Sequence, residues 1–129
     1  LAPTRPVALI RRLAGPLWRR VGIAAELEVR GRRSGAPRRV TLIPVKLDGT
    51  LYLLSFGGVT DWARDLRAAD TCILTLRGRK QTFVPVEVEG AERDRVIARY
   101  LAGAGPVKKD FYRRPAATDH PTFRLDTAR

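Results

Sequence analysis

The residues best suited to chemistry lie in one short segment, Gly31-Arg32-Arg33-Ser34-Gly35-Ala36-Pro37-Arg38, called here the basic turn. Its glycines permit positive φ, so successive backbone N–H groups can converge on one point. The Ser34 hydroxyl and the guanidinium groups of Arg32, Arg33 and Arg38 can all donate to phosphate or carboxylate oxygens. The segment predicts an anion-binding turn, although on composition alone a solvated basic hairpin explains it equally well.

A second loop rich in backbone groups, Ser55 to Gly58, leads into a predicted helix start. Free N–H groups and the helix dipole at that start favour an anion or an electron-rich ring edge. Trp62 can stack on a planar ligand there. Its simpler interpretation is a core aromatic that packs on Leu66, four residues further along the same helix face.

The other chemistry-bearing residues give little support to metal or acid–base catalysis. Cys72 is the only cysteine, so no intrachain disulfide or thiolate cluster can form, and its apolar surroundings predict a buried, inert thiol. His120 is the only histidine, which excludes a multi-histidine metal site and favours a structural role. We therefore expect no metal site, and we interpret the scattered carboxylates as partners of surface arginines.

Motifs of other enzyme classes are missing from the sequence. It has no phosphate-binding P-loop and no nucleophile elbow, and the glycines at 103 and 105 follow a predicted helix rather than a strand. An anion-binding turn and a planar shelf without acid–base groups suit a redox cofactor that carries its own chemistry.

The first predicted element is an amphipathic helix over residues 5–20, with apolar residues near one face and arginines mostly elsewhere. In one interpretation it packs on the rest of the domain. In the other it contacts an anionic membrane surface as a basic amphipathic segment.

Alternating hydrophobicity then predicts antiparallel strands joined by hairpins. The first begins at Ala25, its partner runs through Thr41 to Val45, and Asp48-Gly49 predicts a tight turn into a third strand, Leu51 to Leu54.

The remaining elements are a short helix, a hairpin, a second helix and a last strand. Thr60 is predicted to cap the short helix with its side chain. The pattern predicts strands over 71–77 and 81–88, a helix over 91–101 after Gly90, an irregular loop over 102–118 and a strand over 121–125. We predict a mostly β (α+β) fold, a small antiparallel barrel of about six strands with packed helices.

Size and charge bound the remaining possibilities. The chain has 129 residues, which predicts a single cofactor-binding domain over 1–129, with the helix at 1–20 and the barrel at 25–126. A formal net charge of +12 favours anionic ligands: phosphorylated cofactors, nucleic acid or acidic lipid. Without a secretory signal we expect a cytoplasmic location. The chain contains no Met, so we expect a native segment to precede Leu1.

Five motifs in order resemble the deazaflavin-dependent nitroreductase family: G-R-R-S-G-A-P-R at 31–38, S-F-G-G at 55–58, D-W-A-R-D-L-R-A at 61–68, G-A-E-R at 90–93 and H-P-T-F-R-L at 120–125. The resemblance covers about residues 26–125. It implies a split β-barrel that binds the 8-hydroxy-5-deazaflavin coenzyme F-420 and passes hydride from its reduced form to a quinone, nitro or enone acceptor. It also implies an actinobacterial type of host.

The resemblance further implies which residues form the site. In the family pattern, the coenzyme's phosphate and glutamate tail is held by the basic turn through Arg32, Arg33, Ser34 and Arg38. The deazaflavin ring is lined by three segments: Arg39, Val40, Thr41, Leu42 and Ile43; Leu53, Leu54, Ser55 and Phe56; and Asp61, Trp62, Ala63, Arg64 and Asp65. Tyr112 is the candidate catalytic residue, because it can close the substrate face and shield hydride transfer from water, with Phe111 and Trp18 as further candidates.

One departure from the family pattern bears on the acceptor. Thr41-Leu42-Ile43 stands where relatives often have Pro-Leu and an aromatic residue. An aromatic hydroxyl that would orient a polar nitro substrate is therefore missing at Ile43, which favours a quinone-like acceptor.

Other functions stay open at this point. One alternative is an oxidoreductase of the same architecture that uses FMN, and another is a barrel that binds a cofactor, fatty acid or haem-like ligand without turnover. We expect no nucleic-acid partner, since no aromatic ladder accompanies the basic strands. A small-molecule electron acceptor is the expected partner, and exposed strand edges favour a homodimer.

Overall fold

A computed structural model of the chain describes residues 24–55, 57–102 and 120–128. Within these residues it contains seven strands and two helices in chain order: β1 Ala25–Arg30, β2 Pro37–Leu42, β3 Val45–Leu47, β4 Thr50–Leu54, α1 Asp61–Ala68, β5 Cys72–Leu76, β6 Arg79–Val88, α2 Gly90–Ala102 and β7 Thr122–Thr127. The predicted helix over 5–20 and most of the predicted loop over 102–118, with Trp18, Phe111 and Tyr112, lie outside the described residues.

The strands form one antiparallel sheet in the order β2-β1-β5-β6-β7-β4-β3. Strands β2 and β3 are the two edges of this sheet, yet only Ile43 and Pro44 separate them in the chain. Three Cα steps span at most about 11 Å. The two edges therefore approach each other at this corner without pairing, and the sheet curls into a split barrel, which confirms the predicted antiparallel fold.

The predicted strand over Thr41 to Val45 is interrupted, so the structure has seven strands rather than about six. Leu42 still pairs with β1 at Ala25, whereas Val45 pairs with β4 at Tyr52. Pro44, between them, is fully buried and has no N–H to contribute to a ladder. The chain changes its pairing strand from β1 to β4 at this proline, so this short connection joins the two edges of the curled sheet.

Two tight turns fix the register of their hairpins. Asp48 and Gly49 have φ of 52° and 79°, and Arg77 and Gly78 have φ of 53° and 77°. Positive φ at both central residues matches the right-handed twist of the flanking strands. The Asp48-Gly49 hairpin and the turn at Gly78 are thereby confirmed.

The barrel core lies inside the curl, where residues from six of the seven strands and from α1 meet. Burial alternates along β1 as predicted, with Leu27 and Val29 inside and Glu26 exposed. Helix α1 adds Ala63 and Leu66 to this cluster. The core therefore fixes α1 against the inner face of the sheet.

Helix α2 packs on the opposite face of β3 and β4, with Val96 and Ile97 buried as predicted. Among the described residues, neither helix has the length and hydrophobicity needed to span a membrane.

A polar network that the sequence analysis missed joins α2 to β4 and β7. The Tyr52 hydroxyl donates to Glu92 Oε2 at 2.8 Å, and Arg124 Nη1 donates to both Glu92 oxygens at 3.1 Å. Burial and the carboxylate raise the pKa of Tyr52, while the hydrogen bond from Tyr52 and the Arg124 guanidinium lower the pKa of Glu92.

Truncation of a strand residue should be costly where its side chain faces the barrel core and cheap where it faces solvent. Leu27 is 0% exposed in the barrel core, so Leu27→Ala should lower the free energy of unfolding by about 2–5 kcal/mol. Val84, at 37% exposed on β6, is the matched control, and Val84→Ala should stay within about 0.5 kcal/mol of wild type. Urea unfolding measures both, and equal losses would contradict the assigned interior.

The titration of Cys72 should affect stability in alkali alone. Burial raises the pKa of its thiol from 9.0 to about 11, so the folded state binds this proton more tightly than the unfolded state does. Its stabilisation is complete below pH 9 and is lost as the pH rises through about 11. Unfolding free energies at a series of pH values should fall less steeply over that window in Cys72→Ala, with Tyr52 responsible for part of the remaining slope. An unchanged slope would contradict this assignment.

Candidate anion and coenzyme site

The basic turn is closed by its own backbone. The Gly31 N–H donates to the Ala36 carbonyl at 2.8 Å, the Gly35 N–H donates to the Gly31 carbonyl at 2.9 Å, and the Ala36 N–H donates to Ser34 Oγ at 3.1 Å. Gly35 has φ of 74°, and a Cβ at Gly31 would lie 2.9 Å from Ser34 Oγ. The glycines are therefore required by the turn itself.

These bonds restrict which backbone groups can face a ligand. The N–H groups of Gly31, Gly35 and Ala36 are used within the turn, and that of Arg32 binds Asp65. Among the described residues, the N–H groups of Arg33 and Ser34 are left without a partner. The predicted convergence of N–H groups is accordingly limited to these two.

Arg32 binds a buried carboxylate on α1. Its backbone N–H and its Nη1 both donate to Asp65 Oδ1, at 3.1 Å and 2.7 Å, and the Asp65 side chain is 1% exposed. Asp65 Oδ2 lies 3.5 Å from Arg38 Nε and has no hydrogen bond within the described residues. The expectation that surface salt bridges explain the carboxylates is therefore wrong for Asp65, which holds the basic turn to the helix.

A second α1 carboxylate, Asp61, faces solvent and has looser partners. Its oxygens lie 3.6 Å from Arg32 Nη2, 3.6 Å from Arg64 Nη1 and 3.9 Å from Arg38 Nη2, and its side chain is 61% exposed. These three arginines around Asp61 are called the arginine cluster below.

Arg33 differs from the other arginines of the turn. It is exposed and has no ion pair with any described residue. Beside it lies a cleft of about 840 Å³, lined mainly by residues 28–35 and 68–73. Arg32 lines this cleft with Arg33 and is also a member of the arginine cluster, whereas Arg38 and Arg64 lie outside the lining of the cleft.

The loop after β4 is held by buried polar groups. Ser55 is 2% exposed, its Oγ binds the Gly58 carbonyl and lies 2.9 Å from Thr60 Oγ1, and its N–H donates to the Pro121 carbonyl at 2.9 Å. Thr60 makes no side-chain cap, so that prediction is wrong: its hydroxyl is paired with Ser55 instead of the helix N–H groups. The Ser55 hydroxyl thus shapes the loop.

His120 is fully buried, with Nδ1 3.3 Å from the Ser55 carbonyl oxygen. This position agrees with the structural role expected for it. No group of three potential metal-ligating side chains occurs within residues 24–55, 57–102 and 120–128.

The predicted ring-lining residues occupy several environments. Leu53 and Ala63 are 0% exposed in the barrel core, which Val40 and Leu42 border, whereas Ile43 and Leu54 pack in the cluster under α2. Arg39 binds Glu28 at 3.0 Å, and Thr41 is half-buried on β2.

Trp62 is half-buried, and its ring lies 6.4 Å from that of Phe123 at an interplanar angle of 53°. It borders the core cluster that contains Leu66, as the simpler interpretation predicted. Phe56 and Tyr112 lie outside the described residues. Contact of all these residues with a coenzyme stays a prediction.

A curled antiparallel barrel with an arginine-rich turn at one end defines a cofactor-binding split-barrel protein. The profile of the family described as "F420H(2)-dependent quinone reductase" matches residues 6–119, and the chain belongs to this family. The protein is therefore an oxidoreductase that uses the deazaflavin coenzyme F-420.

Solved structures share the fold at low sequence identity. An F420-H2 dependent reductase (FDR-A) is 21% identical with a TM-score of 0.62, covering 80% of this chain and 93% of that one. The haem storage protein HutZ from Vibrio cholerae is 15% identical with a TM-score of 0.64, covering 98% and 91%. A structure described as a domain-swapped dimer is 21% identical with a TM-score of 0.62, covering 96% and 99%. Among curated proteins there is no match.

Removing the Asp65 carboxylate should loosen the basic turn. Asp65→Ala deletes two hydrogen bonds to Arg32, one of them charge-assisted, and should lower the free energy of unfolding by about 1–3 kcal/mol. Asp70→Ala removes an exposed carboxylate beside the same cleft and should change stability by at most about 0.5 kcal/mol. Thermal unfolding measures both, and an Asp65→Ala protein as stable as wild type would refute the role of this pair.

Proposed function

We propose that this protein transfers hydride from reduced coenzyme F-420 to a quinone, and that the basic turn holds the coenzyme's phosphate and glutamate tail. The observation that carries the proposal is the exposed Arg33 on a turn that Asp65 holds in place. A guanidinium group without an ion pair among the described residues is free to bind a phosphate or carboxylate in a bidentate manner.

The residues present fit an anionic tail. Arg33, the half-exposed Arg38 and the N–H groups of Arg33 and Ser34 are all donors, and the cleft beside them is large enough for a chain of several charged groups. Arg32 contributes positive charge and the shape of the turn, because its own donors are directed to Asp65 and Asp61. The tail would lie along the cleft with the ring towards Trp62.

When bound, the reduced deazaflavin supplies the hydride from C5. The chain's own residues bind and orient the coenzyme and exclude water. Asp65 and the Ser55–Thr60 pair hold the turn and the loop before α1, so that a coenzyme bound to both would be fixed at two points. Tyr112 is proposed to close the substrate face.

A quinone is the proposed acceptor, in agreement with the family's description as "F420H(2)-dependent quinone reductase". The departure from the family pattern at Ile43, which offers no hydroxyl to a nitro group, also supports it. A planar, largely apolar quinone needs no such donor. Nitro compounds and enones remain outside this proposal.

We also propose that residues 1–129 form one cofactor-binding domain and that the protein is a homodimer. Support for the dimer comes from a structure of the same fold described as a domain-swapped dimer. The unpaired edges β2 and β3 also favour pairing with a second copy, which would cover them.

The test is an affinity comparison at two arginines of equal charge. Arg33→Ala should weaken binding of coenzyme F-420 on the order of 10- to 100-fold, because it removes charge-assisted hydrogen bonds. Arg79→Ala changes the net charge equally at a hairpin outside the cleft and should alter affinity by less than about 3-fold. Titration of coenzyme fluorescence measures both. Equal losses of affinity in the two variants would show that the net charge of the protein attracts the coenzyme and that Arg33 does not bind it directly. Tight binding of FMN with no binding of F-420 would overturn the coenzyme assignment.

A further inference from the structure

Asp61 occupies the point on which the arginine cluster converges. Its carboxylate is the common neighbour of Arg32, Arg38 and Arg64, at 3.6–3.9 Å from each. Arg32 and Arg38 belong to the basic turn and Arg64 to α1, so cations from two elements face one anion.

The pairs around Asp61 are of a different kind from those of Asp65. The Asp65 side chain is 1% exposed and accepts from Arg32 at 2.7 Å, whereas the Asp61 side chain is 61% exposed and each guanidinium contact is longer than 3.5 Å. Exposed, long ion pairs are weak, because water competes for both partners. Asp65 is therefore a fixed structural partner, and Asp61 is one that another anion can displace.

We propose that Asp61 is an internal competitor for the arginine cluster, which the ligand's anionic groups displace on binding, and that it sets the minimum charge of ligands that bind. A ligand with a single carboxylate replaces one carboxylate by another when it displaces Asp61, so the net gain in interaction with the arginines is small. A ligand with several negative groups replaces one carboxylate by more than one, so it gains net interaction with the three arginines. Asp61 thus lowers the affinity of every anion that must displace it, and polyanionic ligands are the ones that still bind measurably.

For the coenzyme tail this inference rests on the proposed function, but the competition itself concerns any anion. Asp61 lies in the first turn of α1, where a negative charge interacts favourably with the helix dipole and stabilises the helix. Its position among arginines therefore has a cost in ligand affinity and a small benefit in helix stability.

The experiment removes the charge of Asp61 while keeping its shape. Asp61→Asn should bind coenzyme F-420 about 3- to 10-fold more tightly than wild type, with the largest gain at low salt. Asp48→Asn is the matched control: Asp48 has φ of 52°, which Asn tolerates, and it lies in the hairpin between β3 and β4. It should leave affinity unchanged. Asp61→Glu, which restores the charge, should return affinity to the wild-type value.

A second arm does not depend on the coenzyme. Inorganic pyrophosphate and acetate are titrated while the arginine Nε–Hε signals are followed by NMR, with circular dichroism as a check on folding. Wild type should bind pyrophosphate measurably and acetate too weakly to detect, and Asp61→Asn should bind both more tightly, so that acetate binding becomes measurable.

The outcomes separate the two proposals. If wild type binds the coenzyme and Asp61→Asn binds it no more tightly, or if Asp48→Asn gains equally, the competition is refuted and the proposed function stands. If wild type fails to bind the coenzyme, the proposed function fails. The pyrophosphate arm then decides this inference alone: tighter binding of both anions by Asp61→Asn supports it, and unchanged affinities overturn it.

Discussion

The ion pair between Arg32 and Asp65 determines how the rest of the site is arranged. A carboxylate that is 1% exposed needs a partner, and Arg32 donates to its Oδ1 with both a backbone and a side-chain group. Helix α1 carries Asp65 and is fixed in the barrel core by Ala63 and Leu66. Because Asp65 binds Arg32, the core also fixes the position of the basic turn. The turn can then present Arg33 outward without relying on Arg33 for its own stability.

This arrangement divides the arginines of one short segment by role. Arg32 is committed to a buried acceptor, Arg38 is shared between two carboxylates, and Arg33 is paired with no described residue. These residues carry the same charge, but their ion pairs differ in strength because the partners differ in burial and in distance. A high net charge alone would attract any anion. Because Arg32, Arg38 and Arg33 are paired to different extents, we expect the basic turn to bind some anions more tightly than others.

Local patterns were sufficient to predict much of the fold. The alternation around Leu27, the Asp48-Gly49 turn and the helix after Gly90 each depend on neighbours in sequence, and each is found. The exchange of partners at Pro44 was not predictable in this way, because it depends on β4 pairing with β7, which lies about 70 residues further along the chain.

The site was predictable in outline only. The basic turn was recognised from its composition, but the partner of Arg32 lies 33 residues away, and Tyr52 meets Glu92 across 40 residues. No spacing rule connects such pairs. Asp61 and Asp65 stand four apart on one helix face, which is the one local signal that could have indicated their shared orientation towards the arginines.

The position of β7 in the sheet has a consequence for how the protein is made. This strand comes after all the other described strands in the chain, yet it lies between β6 and β4, and no other described strand joins those two. While the ribosome is still producing residues before Thr122, the sheet has two unsatisfied inner edges and an open core. Completion of the barrel must therefore await β7. Until then the nascent protein depends on the three local hairpins, β1 with β2, β3 with β4 and β5 with β6.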